Sequence, residues 1–140
     1  MNAKNHRHSP CPLTYVLDIL GDKWSLLIIR DMLIRKYCRY NQFLESDEGI
    51  ATNILADRLK KLEKSGIITK AKDPDNRRQN IYEVTQKGLD LIPSMLHLVR
   101  WSCRHDPETV VNDEVADYLE NKFDCAVEWV LNRHIKDCAQ

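Results

Sequence analysis

Residues 51–66, ATNILADRLKKLEKSG, have the spacing of a helix with one apolar and one basic side. Leu55, Leu59 and Leu62 recur at steps of four and three residues, which predicts a stripe that faces a core. The opposite side and its flanks hold Asn53, Ile54, Asp57, Arg58, Lys60, Lys61 and Lys64. Lysine and arginine neutralise phosphates, and asparagine and arginine form hydrogen bonds with base edges. The pattern therefore indicates either a nucleic-acid-binding surface or an ordinary solvated helix face.

A second group of basic residues lies shortly after this helix. Arg77 and Arg78 are adjacent within DPDNRRQ, a segment rich in turn-forming residues. The flanking segments IITKAK and NIYEVTQ are rich in β-branched and aromatic residues, so a β-hairpin with an exposed basic tip is predicted. Residues 1–80 hold 15 Lys/Arg against 10 Asp/Glu, and residues 81–140 hold 6 against 11. This imbalance favours a polyanionic partner for the first half of the chain.

Three short helices are predicted before the basic helix, and they would position it. The first begins at Pro12 and ends at a glycine, and the second, KWSLLIIRDML, is apolar enough to be buried. The third is RYNQFLES, with Tyr40, Phe43 and Leu44 on one face. Gly49 then supplies the turn that leads into the basic helix.

The basic helix is predicted to begin near Thr52, whose hydroxyl would accept a backbone N–H of the first turn, and to end at Gly66. A helix, a glycine turn, a second helix with a basic outer side and a hairpin follow the order of a winged helix-turn-helix. The predicted fold class is therefore mainly α with a small β-hairpin wing, followed by terminal helices. In this arrangement the second helix lies in the major groove of DNA, and the wing arginines reach neighbouring phosphates.

The remainder of the chain is predicted to form two further helices. The helix over about 88–104 carries more apolar side chains than one small domain covers. Pro93 is tolerated there only if it lies within about the first turn or if the helix kinks at it. DPETVVND is a linker, and the last helix begins at Asn112 or Asp113. In that helix a heptad seam is formed by Ala116, Leu119, Phe123, Ala126 and Val130. The seam packs either on a partner subunit, which we favour, or on its own domain.

Several segments together resemble the HxlR-type transcriptional regulators, which are dimeric winged helix-turn-helix proteins of bacteria. The segments are CP at 11–12, LGDKW at 20–24, RYNQFLE at 39–45, GIATNILADRLKKLEKSGII at 49–68, YEVTQKG at 82–88 and PSMLHLVRW at 93–101. The resemblance covers about residues 11–101 in the same order. It implies a homodimer that binds an inverted-repeat operator in double-stranded DNA, and we expect it to act as a repressor.

The sequence departs from the family pattern in three places. Ala51 stands where serine is common, which moves the expected helix cap to Thr52. The segment IRKYCRY lacks the usual glycine before its second arginine, so a longer or helical turn is expected there. The wing lacks a proline-then-glutamate pattern and is similar to the wing of the related MarR-type regulators.

The resemblance assigns DNA contacts to three places. In the basic helix they are Thr52, Asn53, Ile54, Asp57, Arg58 and Lys61. The wing contributes Arg77 and Arg78, and the preceding helix positions the subunit on phosphates through Arg39 and Gln42. The expected dimer interface comprises Leu96, Val99, Trp101, Leu119, Phe123, Ala126 and Val130. The chain then divides into a flexible arm at 1–11, the winged helix-turn-helix domain with the start of the dimerisation helices at 12–104, and a C-terminal dimerisation helix at 112–138.

Two of these DNA contacts have alternatives. Arg58 suits a guanine or a phosphate, but an ion pair with Glu45 or Glu48 is equally compatible with the sequence. Asp57 would be repelled by phosphate. It therefore needs either a cytosine amino group or an ion pair with Lys61, four residues further along the helix.

A cysteine is the sequence's candidate for a sensor. Cys11 precedes the first helix, where several members of the family sense oxidants or electrophiles, and the nearby His6, Arg7 and His8 favour its thiolate form. An inert cysteine is the alternative. Cys38 is a second candidate, and a small-molecule effector bound between the domain and the terminal helices is a further alternative.

Several other functions are disfavoured by missing signals. The five cysteines form no CxxC pair, and His134 with Cys138 supplies too few ligands, so no metal or cofactor is predicted. No GxSxG or phosphate-binding glycine loop occurs, so no enzyme is assigned. No run of about 18 apolar residues and no signal segment occur, so a cytoplasmic protein without a membrane partner is predicted. A winged-helix adaptor for other proteins is the alternative function.

Overall fold

The computed structural model describes the backbone of residues 9–138 and the side chains of residues 9–134. Over this range the elements are α1 (Pro12–Leu20), α2 (Ser25–Ile34), α3 (Tyr40–Leu44), α4 (Thr52–Lys64), β1 (Ile68–Lys72), β2 (Asn80–Val84), α5 (Gln86–Leu89), α6 (Ile92–His105), α7 (Asp113–Asn121) and α8 (Phe123–Cys138). The strands form an antiparallel hairpin between α4 and α5. The predicted class, a helical protein with a hairpin wing, is confirmed.

The apolar stripe of α4 forms part of the core. Leu55, Leu59 and Leu62 are all buried, and they belong to the same hydrophobic cluster as Ile28 and Ile29 of α2. Full burial of one such side chain stabilises the fold by about 1.5–3 kcal/mol relative to exposure. This burial fixes the rotation of α4 about its axis, so its polar side must face outward.

The start of α4 differs from the prediction. Ala51 is the N-cap residue, and no side chain caps the helix, so the predicted hydroxyl cap from Thr52 is wrong. Thr52 is already the first helical residue, and its carbonyl accepts a 2.7 Å hydrogen bond from the hydroxyl of Tyr40. The helix ends as predicted beside Gly66, whose φ of 77° is the left-handed conformation that glycine adopts without strain. This contact ties α3 to the first turn of α4.

A network of ion pairs joins α2 to the turn between α3 and α4. The buried carboxylate of Asp31 accepts hydrogen bonds from Arg30 at 2.8 Å and from the hydroxyl of Ser46 at 2.6 Å. Arg30 also donates to Glu48 at 2.7 Å, while Arg35 donates to Asp47 at 3.1 Å. The turn that sets the angle between the two helices is thereby attached to the scaffold helix.

This network makes the free energy of unfolding depend on pH in the acidic range. The hydrogen bond from Arg30 lowers the pKa of Glu48 from its usual 4.5 to about 2. Because the folded-state pKa is depressed, the stabilisation is complete above the unfolded-state value and is lost as the pH falls toward about 2. We expect the urea midpoint of Glu48→Gln to lie below that of the wild type at neutral pH and to converge with it in acid. Glu108→Gln, in an exposed loop, is the control, and a constant Glu48→Gln deficit at every pH would contradict the assignment.

The wing hairpin is attached to the segment that precedes α3. Its strands pair from Ile68 opposite Val84 to Lys72 opposite Asn80. The backbone N–H of Tyr82 also donates to the carbonyl of Cys38 at 2.8 Å, beside an isolated bridge between residues 39 and 81. Of the two expectations for the segment before α3, a longer or a helical turn, the helical one is wrong: the connection is extended, and it turns through a left-handed residue at position 36 instead of a glycine.

Gly88 lies in α5 where no side chain fits. A Cβ atom there would lie 2.5 Å from Cγ1 of Val84 and 2.6 Å from the carbonyl oxygen of Ile67. We expect Gly88→Ala to lower the free energy of unfolding by about 1–3 kcal/mol, because the backbone of the hairpin must shift. Gly49→Ala is the matched control: Gly49 has a φ of 67° but no atom within 4 Å of its Cβ position, so only about 1–2 kcal/mol of backbone strain is expected. Denaturant unfolding of both variants measures the difference, and an unchanged Gly88→Ala variant would contradict the close contact.

The predicted single C-terminal helix is wrong. The chain breaks between α7 and α8 at Lys122, which has φ −137° and ψ 47°, so the heptad seam does not continue across it. Leu119 and Val130 are buried within the chain, because α7 and α8 pack on α6, and α8 also packs on α2. Arg133 adds a 3.3 Å hydrogen bond to the carbonyl of Ile34 at the end of α2. Two of the five seam residues thus pack on their own domain, which is the alternative considered from the sequence.

None of the helices within residues 9–138 has both the length and the apolar character needed to cross a membrane.

Candidate nucleic-acid interface

The outer side of α4 is polar and accessible. Its exposed side chains are Thr52, Asn53, Ala56, Asp57, Lys60 and Lys64. Ile54, by contrast, packs against the hydrophobic core, and Lys61 is half-buried. Thr52, Asn53 and Asp57 therefore lie on the predicted surface. Ile54 does not, because its side chain packs against the core.

Arg58 is engaged within the chain. Its Nε donates to Oδ1 of Asp22 at 2.9 Å, and its Nη1 donates to Oδ2 of Asp57. The predicted alternative of an ion pair is thus observed, but Asp22 is the partner instead of Glu45 or Glu48. Asp57 likewise pairs with Arg58 and not with Lys61 as predicted. These two carboxylates raise the pKa of Arg58, with the Asp22 hydrogen bond the largest cause.

Asp22 is the anchor of this arrangement. Partial burial opposes its ionisation, but hydrogen bonds from the Ser25 hydroxyl and from the backbone N–H groups of Trp24 and Ser25, together with that from Arg58, outweigh it and lower its pKa to about 2. The hydroxyl lies 2.6 Å and the two amides lie 2.8 and 3.0 Å from the carboxylate. No role for Asp22 was predicted from the sequence, although its position three residues before Ser25 is a helix-capping signal.

Arg39 and Gln42 are both engaged in hydrogen bonds within the chain. The Nε of Arg39 donates to the buried carboxylate of Asp73 at 2.8 Å, which keeps the pKa of Asp73 below its ordinary value. Oε1 of Gln42 accepts from the backbone N–H groups of Cys38 and Arg39 at 2.8 and 2.9 Å. The polar groups predicted to position the subunit on phosphates therefore form internal contacts: Arg39 with Asp73 directly after β1, and Gln42 with the backbone directly before α3.

The tip of the wing presents two adjacent cations. Arg77 and Arg78 are exposed, and among the side chains the structure describes neither guanidinium has an ion-pair partner. The loop beneath them is ordered by hydrogen bonds from Gln79 to the carbonyl of Asn76 at 2.9 Å and from Asp73 to the carbonyl of Gln79 at 3.0 Å. The predicted basic tip is thus present, and its guanidinium groups are available to a partner.

An open groove of about 680 Å³ separates α4 from the wing. Its lining residues are Tyr40, Ala56, Lys60, Glu63, Lys64, Lys70 and Tyr82. Lys70 lies 3.7 Å from Glu63, so the groove carries three lysines against one carboxylate. None of these lysines was predicted from the sequence to contact DNA. Pairing the strands symmetrically about the tip would have placed Lys70 opposite Tyr82 and so identified this wall.

Apolar side chains are exposed on α1 and α6. Leu13 and Leu17 of α1 are 60% and 59% exposed, and Leu98 and Trp101 of α6 are 56% and 63% exposed. Val99 is also accessible, whereas Leu96, another predicted interface residue, is half-buried against the core. Phe123 stacks on His97 at a ring separation of 4.0 Å within the chain, and Ala126 is half-buried. The accessible part of the predicted dimer interface is therefore on α6.

The candidate sensor cysteines lie in different environments. Cys11 is exposed at the N-cap position of α1, while the predicted neighbours at positions 6, 7 and 8 lie outside the described residues. Cys38 is half-buried, with Nη1 of Arg39 3.9 Å from its sulfur. Within residues 9–134 no group of three or more potential ligands is placed to hold a metal ion.

A short helix packed across a second helix, with a basic hairpin directly after it, defines a winged helix-turn-helix protein of the DNA-binding regulator class. The model of the HxlR-like helix-turn-helix family matches residues 19–109. The chain belongs to this family, and it is a transcriptional regulator with a helix-turn-helix domain, not an enzyme.

Two relatives share this description. The HTH-type transcriptional regulator sll1512 of Synechocystis is 34% identical over 86 residues, which cover 61% of this chain and 63% of that protein. This chain therefore spans less than two thirds of the length of sll1512. The HTH-type transcriptional regulator YdeP of Bacillus subtilis is 30% identical over 113 residues, which cover 81% of this chain and 87% of YdeP.

Two solved structures are similar in fold. PA1607 superposes with a TM-score of 0.68 and 31% identity, over 76% of this chain and 75% of PA1607. The redox regulator HypR in its oxidized form superposes with a TM-score of 0.60 and 27% identity, over 68% of this chain and 97% of HypR. The winged-helix architecture is therefore shared well beyond the helix-turn-helix itself.

Proposed function

We propose that the protein is a homodimeric, cytoplasmic repressor that binds an inverted-repeat operator in double-stranded DNA. The observation that carries the proposal is that a groove lined with lysines separates the exposed side of α4 from a wing whose tip is basic and exposed. An α-helix of this kind fits the major groove, which is about 12 Å wide. A repressor of this type blocks transcription by occupying the promoter region.

The groove has a specific role in this proposal. A major groove and the adjacent minor groove are separated by one sugar-phosphate strand. If α4 lies in the first and the wing reaches the second, that strand must pass between them. Lys60, Lys64 and Lys70 line this path and neutralise its phosphates, while Arg77 and Arg78 extend the contact beyond it. Thr52 and Asn53 then face base edges at the first turn of α4.

Dimerisation is supported by the apolar side chains that α1 and α6 expose. Isolated exposed leucines are ordinary, but Leu13, Leu17, Leu98 and Trp101 lie on two helices that precede and follow the DNA-binding unit. Two recognition helices must be held about 34 Å apart to enter successive major grooves on one face of DNA. A second copy of the chain supplies this spacing, and an inverted-repeat operator matches its twofold symmetry.

The proposal is tested by fluorescence anisotropy with DNA from upstream of the protein's own gene and the neighbouring genes. We expect saturable binding that unrelated competitor DNA does not displace, with two chains bound per operator. Analytical ultracentrifugation should give the mass of two chains without DNA. Weak binding to every sequence alike would overturn the operator assignment, and run-off transcription with and without the protein decides whether it represses.

We further propose that an oxidant or electrophile controls binding through Cys11. Cys11 is exposed and begins α1, one of the two helices proposed to form the dimer interface, so a change there reaches the DNA-binding unit. HypR, one of the structurally similar proteins, is a redox regulator. Diamide should release wild-type protein from the operator but not Cys11→Ser. If both variants are released, Cys38 becomes the candidate, and if neither is released, a small-molecule effector is the remaining control.

The alternative function is a protein-interaction adaptor built on the same fold. An adaptor does not need the basic wing tip, so its partner affinity would be insensitive to Arg77 and Arg78. Two results together would favour the adaptor. A genome-wide binding selection would recover no specific DNA fragment, and replacement of both arginines would leave the affinity for the protein partner unchanged.

A further inference from the structure

Asp57 is a carboxylate in an unfavourable place for a DNA-binding helix. It lies in the middle of the exposed side of α4, between Asn53 and Lys60, and its side chain is 66% exposed. A negative charge on a surface that approaches phosphates lowers affinity for every DNA sequence alike. A hydrogen-bond donor on a base would offset this cost in a sequence-specific complex.

Asp57 is hydrogen-bonded to its neighbour Arg58. Nη1 of Arg58 donates to its Oδ2, and Nε of the same guanidinium donates to Asp22 at 2.9 Å. Asp22 is itself fixed by the first turn of α2, through Trp24 and Ser25. A chain of polar contacts thus runs from the scaffold helix to the outer side of α4. Arg58 and Asp22 already form an ion pair with each other. The additional contact between Arg58 and Asp57 is therefore not needed to neutralise either of them.

We propose that Asp57 reads a base by accepting a hydrogen bond from the exocyclic amino group of cytosine in the major groove, and that Asp22 is a positioning residue that acts through Arg58. An ionised carboxylate only accepts hydrogen bonds, and the major-groove amino donors are those of cytosine and adenine. Carboxylates pair with the cytosine amino group, whereas adenine, with a donor beside an acceptor, suits an amide. The contact on Arg58 leaves Oδ1 of Asp57 for the base. The inference rests on the proposed DNA-binding function.

The test compares wild type, Asp57→Ala and Asp57→Asn on the operator and on a set in which each base pair of both half-sites is replaced in turn. We expect Asp57→Ala to bind the operator about tenfold more weakly and to lose discrimination at one base pair in each half-site. Asp57→Asn should change the preference at that same base pair from cytosine toward adenine. Affinity for non-specific DNA should stay the same or rise, since one negative charge is removed.

Two further variants separate positioning from folding. Asp22→Asn keeps a side-chain oxygen for the first turn of α2 but removes the charge that holds Arg58. We expect it to weaken discrimination at the base pair that Asp57 reads, a readout that a purely structural role would not move. Glu108→Gln removes an equal charge from an exposed loop, and its preferences should match the wild type.

One result would overturn this inference, and a different one would overturn the proposed function. If Asp57→Ala binds operator and non-specific DNA more tightly by the same factor, with all base preferences kept, Asp57 is only a tolerated surface charge and the inference is overturned. If wild-type protein shows no base preference at any position, the proposed function itself fails.

Discussion

The Arg77→Ala/Arg78→Ala double variant should bind operator DNA about a hundredfold more weakly than the wild type at low salt. Both guanidinium groups are exposed at the wing tip and, within the described residues, have no ion-pair partner. A dimer would lose four phosphate contacts, each of which contributes about 0.9 to the slope of log K against log salt. We therefore expect the slope to become shallower by about 3 to 4, so that the two proteins converge as salt is raised.

The measurement is an anisotropy titration over a range of salt concentrations, with the thermal midpoint recorded for each protein. The stability should be unchanged, because neither side chain is buried. Lys122→Ala, which removes a positive charge at the break between α7 and α8, should leave both affinity and slope as in the wild type. Equal slopes for wild type and the double variant would show that the wing does not approach the phosphates.

Phe43→Ala is expected to lower the free energy of unfolding by about 3–5 kcal/mol, which is a large share of the stability of a domain of this size. Phe43 is 1% exposed, and its ring meets Tyr37 and Tyr82 edge-on at centroid separations of 6.1 and 6.3 Å. The side chain thus lies where the helix-turn-helix meets the wing. Its truncation leaves a cavity between them that the short α3 is poorly placed to fill.

Urea unfolding of wild type, Phe43→Ala and Phe43→Leu measures this contribution. Phe43→Leu keeps most of the volume and should retain more of the stability. Operator binding should survive in Phe43→Leu at temperatures below its unfolding transition. A Phe43→Ala variant as stable as Phe43→Leu would show that the site collapses without cost and that the aromatic contacts add little.

Local sequence patterns were enough to predict the core of the DNA-binding unit. Leu55, Leu59 and Leu62 define a helical period by themselves, and turn-forming residues around Arg77 and Arg78 mark a hairpin without knowledge of the rest of the fold. These features depend on residues within about one or two helical turns of each other. The fold class and the basic surface were therefore predictable before the structure.

The ion pairs could not be predicted in the same way. Arg58 meets Asp22 across 36 residues of sequence, and Arg39 meets Asp73 across 34. Which carboxylate pairs with each arginine depends on how α2, α3 and the hairpin pack. A local sequence pattern contains no information on that packing. The break at Lys122 is similar: helix propensity and the heptad spacing both favour continuation, and burial of apolar side chains against α2 and α6 decides otherwise.

The attachment of the wing to the segment before α3 has a consequence for which DNA the protein accepts. Tyr82 is bonded to Cys38 and Asp73 to Arg39, while Tyr40 is bonded to the start of α4, so hairpin and helix are joined through the same few residues. Their separation is then set by the protein, and the duplex must bring its two grooves to that separation. Base steps that bend easily, or that allow the groove to narrow, lower the free-energy cost of deforming the DNA to that separation. Flexibility of sequences between the contacted positions would thus contribute to selectivity at base pairs that no side chain touches.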